Sequence, residues 1–535
     1  MKFLLILSFV ILNSIHAQSP EIVWGAVQKQ SKNRLLNYSI ANGDFYYQLF
    51  SDESEIELKK INKTTMLTLD STTIELDREN TKHAMINFFA FGDGIWLFTR
   101  SQDYSKKIAS TWLHSIEPIT LAFSPPIKVA DHYYPVSDES ESYTYSTDDY
   151  SNYIFSQNLM TLNLSFLNAY CMTLSCENMT PVYGVPNIES QKERILISTI
   201  YEDNFDKKLD AKFKMPSPHF FIEQIEIDLD GSIYFLGYTS KVISNSKYLG
   251  RKMEEGEDLQ IVKFNPFSGE YKVELVGDEY PYLQDYEITV DGDITLTGRN
   301  FNGVLGSDKI ETIVYSNDLI KKKSFGHDIV NDLSDSLNTA EEIQYYKWRY
   351  KNAIGEYPPS VPLLNFEIIY SEILNNGDHV FALEKRSYAN VGSMGQYPGG
   401  EYGPIRIISI SKNGTLNWTQ TIKKHQLSIK KHVGVFIHND GENLYVWYNE
   451  SDFLEKYANQ NYIETTGKII YKTKRIRFLK INSDGEIIEN SATPCDPKKP
   501  LYLEPENCYE IEPGVVIMHL SNMKREVSGL VKLGG

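Results

Sequence analysis

Residues 221–238 read FIEQIEIDLDGSIYFLGY. Apolar residues alternate on both sides of an Asp-Gly pair, the short-range signature of a β-hairpin. The same phrase recurs as MINFFAFGDGIWLFTR (85–100), YEITVDGDITLTG (286–298) and FEIIYSEILNNGDHVFALEK (366–385). It returns in IRIISISKNGTLNWTQT (405–421), VGVFIHNDGENLYVWY (433–448) and KRIRFLKINSDGEIIE (474–489). The turns at Asp230-Gly231, Asp291-Gly292, Asn376-Gly377, Asn413-Gly414 and Asp484-Gly485 suit tight reversal, because Gly accepts positive φ and Asp or Asn bonds nearby backbone. Calcium ligation is the alternative reading. It asks for six to eight oxygens, and no stretch has the helix-flanked loop that usually supplies them.

Strands grouped around such turns fall into quartets at 38–77, 82–127, 130–214, 220–278, 284–325, 364–424 and 430–490. A lone four-stranded sheet leaves an apolar face uncovered, and placing such sheets radially lets each cover the next. The expected fold class is therefore all-β, a β-propeller of about seven blades within a range of six to eight. Residues 21–26 and the C-terminal runs VVIMHL and VSGLVKL are expected to complete a shared blade, and an eighth position could come from the tail. Two packed sandwiches are the alternative. A β-helix fits less well, since its coils are shorter and more regular.

One segment breaks the strand rhythm. Asn338 and Glu341 have capping-box spacing, and Ile343, Tyr346 and Tyr350 recur at helical intervals. They predict an insertion helix near 339–350, with Pro358, Pro359 and Pro362 on its return path.

The first seventeen residues have a basic start, a short apolar run and a cleavage region ending at Ala17. That pattern predicts a signal peptide at 1–17 and a single propeller domain over 18–535. The expected location is the periplasm or the extracellular space, in a chain that does not span the membrane. The four cysteines form two close pairs, Cys171 with Cys176 and Cys495 with Cys508. In an oxidising compartment each pair is expected to close a local disulfide, with free thiols as the alternative. A formal net charge of -18 gives no global electrostatic reason to bind nucleic acid.

The hairpins, the phrase SKNGTLNW (411–418) and the processing region ending at Gln18 resemble secreted propeller-like repeat proteins of the Bacteroidota. The resemblance covers about three units between 221 and 489. The stretch 410–418 also looks like the docking phrase of quinoprotein repeats, in which a Gly precedes a Trp that packs between blades. Such a resemblance implies an accessory of an envelope secretion or gliding complex.

No catalytic residue, metal site or cofactor is read from the sequence. The 11 histidines are scattered, without HExxH, and no GxSxG, Rossmann or P-loop pattern anchors a reaction. The 36 tyrosines carry more information, since Tyr joins a large apolar ring to a polar tip and suits interfaces. Two segments are candidate binding surfaces: the acidic stretch with Tyr143, Tyr145, Tyr150 and Tyr153, and the Gly-rich loop 386–403 with Tyr388, Tyr397 and Tyr402. The leading expectation is a non-enzymatic protein-binding or scaffold propeller whose partner is an envelope protein or a secreted polypeptide. The alternatives are a secreted hydrolase acting on glycans or peptides, and a carbohydrate-binding protein.

Overall fold

The computed structural model of the chain describes all residues except 1–21, 30–34, 52–54, 76–82, 92–93, 104–107, 134–160, 164–170, 177–194, 202–206, 217–219, 229, 240–257, 278–282, 303–306, 329–336, 339, 359–360, 362, 364, 391–397, 425, 429–433, 452–472, 496–500, 523–524 and 534–535. The expected signal peptide and Tyr143, Tyr145, Tyr150, Tyr153 and Tyr397 lie outside the described residues. No described helix is long and apolar enough to cross a membrane.

The fold is an all-β propeller of sequential antiparallel sheets. Among the described residues there are eight, the upper end of the expected range of six to eight. The first blade comprises Leu35–Asn42, Phe45–Ser51, Glu55–Asn62 and Thr68–Glu75. The second and third begin at His83–Phe91 and Thr161–Asn163, the fourth at Phe220–Ile227, and the fifth at Leu283–Asp291. The sixth starts at Phe366–Ile373 and the seventh at Phe436–Asn439. The additional sheet draws on both ends of the chain: Ile22–Trp24 pairs with Arg525–Lys532, which pairs with Val515–Asn522.

The chain divides into two compact units, one formed by residues 35–60 and 70–363, the other by 1–34, 61–69 and 364–535. In the first unit, blades one and two share a core of Leu49, Ile56, Leu58, Phe88, Ile95 and Leu97. Blades four and five share Leu236, Ile261, Val276, Ile288, Leu296 and Ile313. In the second unit, Val380, Ala382, Ile405 and Ile407 of blade six meet Val446, Leu479 and Ile481 of blade seven. Tyr445, Trp447 and Phe478 of blade seven then meet Val516, Met518 and Val531 of blade eight. Alternation along each strand is what lets one sheet serve two such cores.

Four of the hairpins follow one backbone pattern. The amides of Asp228, Leu374, Ser411 and Asn482 donate to the carbonyl four residues on, and the amides of Gly231, Gly377, Gly414 and Gly485 donate back to residues 228, 374, 411 and 482. This is a three-residue loop ending on a Gly at positive φ, longer by one residue than the tightest hairpin turn. An Asn or Asp side chain supports several of these turns, as Asn482 Oδ1 does by accepting from the amides of Asp484 and Glu486.

Two helical and loop expectations change in detail. The insertion helix runs Ala340–Ile354, and it buries Tyr346 and Tyr350 while exposing Tyr345 and Trp348. Within 386–403, expected as a loop, the described residues 386–390 and 398–403 are strand: His379–Asn390 and Pro398–Ile410 pair from His379↔Ile410 out to Asn390↔Pro398. Gly399, Gly400 and Gly403 therefore sit in extended backbone, where Gly marks a close approach: a Cβ on Gly403 would come within 3.1 Å of Lys385.

The expected disulfide between Cys495 and Cys508 is not formed. Cys495 and Cys508 are free thiols. Cys171 and Cys176 stand at the two ends of one strand, Cys171–Cys176. Five steps of about 3.3 Å separate their backbones by roughly 16 Å, far beyond the Cα span of a disulfide.

Candidate functional site

Blade six carries a cluster of four charged groups, Glu384 and Lys424 buried, Glu367 and Arg386 half-buried. Its second strand begins as a core strand, with Val380, Ala382 and Leu383 fully buried. The inward row then ends in Glu384, which is also fully buried. Directly opposite it in register stands a second carboxylate, Glu367. Like charges facing across a strand pair repel, and Arg386 resolves the conflict. Its Nε donates to Glu384 Oε2 at 2.8 Å and its Nη1 to Glu367 Oε2 at 3.1 Å. Lys424, just past the outer strand Leu416–Ile422, places its ammonium against Glu384 Oε1. Two carboxylates are thus matched by two cations.

The electrostatics follow from that geometry. Burial pushes the Lys424 ammonium below its ordinary value, against the opposing pull of Glu384. Burial also works against the charge of Arg386, but the Glu384 and Glu367 carboxylates outweigh it and hold the guanidinium charged. Tyr402 lies over both cations, its ring centroid 5.4 Å from the guanidinium carbon and 5.8 Å from the ammonium nitrogen. Such ring–cation contacts gain strength where water is excluded.

Lys424 also begins a polar chain through the second unit. Its ammonium donates to Gln426 Oε1 at 2.9 Å, and Gln426 Nε2 donates to the Asn449 carbonyl in blade seven at 2.7 Å. Asn449 exchanges two bonds with the backbone of Leu503, donating to its carbonyl at 2.7 Å and accepting from its amide at 2.9 Å. Beyond it, Glu504 accepts from Ser521 and from Asn507 in blade eight. His519 Nε2 stands 3.8 Å from Glu504, and its Nδ1 is 3.0 Å from Ser528 Oγ. Both polar ends of the Gln426 and Asn449 side chains and both oxygens of Glu504 are thus hydrogen-bonded, as buried polarity requires.

The ion cluster stands at the foot of a projecting ribbon. The first strand of blade six reaches only Phe366↔Lys385, and the outer strand only Ile405↔Ile422. From Arg386↔Tyr402 to Asn390↔Pro398 the two central strands continue without those neighbours. A short strand, Gln426–Ser428, supports the ribbon by pairing with Gly400, Glu401 and Tyr402.

Of the candidate tyrosines, Tyr402 sits on the cluster and is half-buried. Tyr388 lies on the same ribbon opposite Gly400, with its backbone alone described. Glu367, Glu384, Arg386, Lys424 and Gln426 were not singled out from the sequence. Their one signal is charge at the end of an apolar strand run, as in VFALEKR and TQTIKK, where alternation alone does not tell burial from exposure.

No family model matches the chain, and no curated protein matches it. Among solved structures, the Dos1 propeller is similar over 96% of this chain and 97% of its own, at 7% identity and a TM-score of 0.42. A prolyl endopeptidase is similar over 92% of this chain at 9% identity and a TM-score of 0.41. Pyrococcus horikoshii acylaminoacyl peptidase is similar over 91% at 10% identity and a TM-score of 0.34. The chain spans about half the length of these peptidases, 55% and 57%.

Proposed function

We propose that the protein is an extracytoplasmic, non-enzymatic binding or scaffold propeller, with the blade-six ribbon as its contact arm. The observation that carries this reading is the anchoring of Arg386–Tyr402 by a buried, charge-balanced cluster. A ribbon fixed at its foot presents side chains at little ordering cost on binding. The partner expected is an envelope protein or a secreted polypeptide, and an accessory role in an envelope secretion or gliding complex is the narrower form of the proposal. A photo-crosslinking amino acid at position 388 of the full chain tests it. A discrete adduct from cells, lost when the same group is moved to the exposed turn residue Asn413, is the expected outcome. Adducts at 413 and none at 388 would place the contact elsewhere.

A second reading, carbohydrate binding, is favoured by the insertion helix. Tyr345 and Trp348 are about 60% exposed, at 62% and 60%, and their rings stack with centroids 6.0 Å apart. Exposed flat rings can stack on the apolar face of a sugar. Quenching or shift of Trp348 fluorescence by glycans, abolished in Trp348→Ala, would support that reading. An unchanged spectrum across a glycan panel would remove it.

A further inference from the structure

The outer strand of blade four, Tyr271–Gly277, pairs with Asp258–Phe264 and, among the described residues, has no neighbour on its other side. Along it Tyr271, Val273 and Leu275 are exposed by 40%, 40% and 46%. Phe267, in the turn before the strand, adds a further exposed ring. An open edge with an apolar row is a template for another strand, and proteins usually blunt it with lysine. Blades three and five do so: their outer strands read KKLDAKFK and KKKSFGHD, with Lys212, Lys214, Lys321, Lys322 and Lys323 exposed. Blade four, between them in sequence, carries a single lysine, Lys272, which is held by Glu270 and Asp318.

The strand sequence YKVELVG is complementary to itself. Placed antiparallel about a two-fold axis through Val273, it sets Tyr271 against Leu275 and Lys272 against Glu274, in both directions. The registers two residues away put Glu274 against Glu274 or Lys272 against Lys272. A one-residue slip turns the apolar row to the opposite face. One register therefore satisfies both charge and face. Lys272 has a donor to spare for it: two of its three N–H groups reach Glu270 at 3.0 Å and Asp318 at 2.7 Å. We infer that this edge is a homodimer interface, in which two copies join Tyr271–Gly277 strands into one continuous eight-stranded sheet. The contact is isologous, so it closes at two copies and does not propagate.

Light scattering after gel filtration, over a concentration series of the full chain, tests this. The apparent mass is expected to rise from one chain toward two between roughly 1 and 100 µM, as a short strand interface implies. Glu274→Lys sets lysine against lysine and should raise the midpoint at least about tenfold, the effect of a lost charge pair made repulsive. Lys272→Glu combined with Glu274→Lys restores opposite charges in reversed order and should return the midpoint to near the original. Circular dichroism identical to the parent confirms that each variant is folded. A parent that stays monomeric throughout overturns the inference, as does a Glu274→Lys variant that dimerises like the parent.

Discussion

The indole N–H of Trp418, on the outer strand of blade six, donates to the carbonyl oxygen of Ser483 in a blade-seven turn at 2.7 Å. The Trp ring lies so close to the next turn residue but one that a Cβ on Gly485 would come within 2.4 Å of it. Gly485 also has a φ of +82°, a left-handed conformation that other residues adopt at a cost. Turn and ring thus lock two blades of one unit together. Gly485→Ala should cost about 2–4 kcal/mol from backbone strain plus overpacking. Trp418→Phe, which removes the donor and part of the packed ring, should cost about 1–2 kcal/mol. Thermal unfolding midpoints should therefore fall in the order parent, Trp418→Phe, Gly485→Ala. A Gly485→Ala protein as stable as its parent would contradict the seating of the ring.

The same pair shows how far the chain can be read without coordinates. SKNGTLNW carried a Trp expected between blades, and Trp418 is there, because strand alternation and a Gly turn are local properties. Six of the seven expected quartets begin within six residues of a sheet for the same reason; the third does not, because Ile127–Tyr133 pairs as the outer strand of the second blade and the third sheet begins at Thr161. The eighth sheet joins Ile22–Trp24 to Arg525–Lys532 and Val515–Asn522, the shared blade expected of residues 21–26 and the two C-terminal apolar runs. The ribbon was hidden by its own composition: glycine and tyrosine at 397–403 resemble a loop, and cross-strand pairing that holds it extended is non-local. The ion cluster is harder still. Glu384 and Lys424 are forty positions apart, and their contact depends on the partner strand between them.

Glu384 and Lys424 should be coupled energetically. Glu384→Gln leaves the Lys424 ammonium buried without its principal counter-charge and should cost about 3–5 kcal/mol. Lys424→Met leaves Glu384 with Arg386 still bonded to it, so the loss should be smaller. The double variant should be more stable than the sum of the two losses implies, by at least about 1 kcal/mol. Urea unfolding of the four proteins completes the cycle. Strict additivity would mean that the two groups act independently.

His379 predicts a dependence on pH. It is buried, stacked on Phe381 with centroids 4.5 Å apart, and burial lowers its pKa to about 4. The unfolded chain binds the proton near 6.5, so between those values unfolding takes up a proton. Stability from the neutral ring is complete above about pH 6.5 and is lost as pH falls toward 4, by up to about 3 kcal/mol. His379→Asn should be less stable at pH 7.5 but should show a shallower loss between pH 6.5 and 4.5. Parallel pH profiles for parent and variant would assign the acid sensitivity to other groups.

The four cysteines give a chemical check on the fold. Burial pushes the Cys508 thiol up to about 12, and its Sγ–H donates to the Glu504 carbonyl at 3.2 Å. Cys495 is less buried, with its thiol raised in the same direction and donating to Leu501 at 3.4 Å. Alkylation requires thiolate and access. Native protein treated with iodoacetamide at pH 8 should therefore leave Cys508 unmodified and label Cys495 slowly, while denatured protein labels both. Non-reducing peptide maps should contain no 495–508 link and no 171–176 link, the latter because one extended strand holds those two residues apart. Recovery of a 171–176 disulfide from native protein would show that residues 171–176 are not a strand, and the third blade would have to be redrawn.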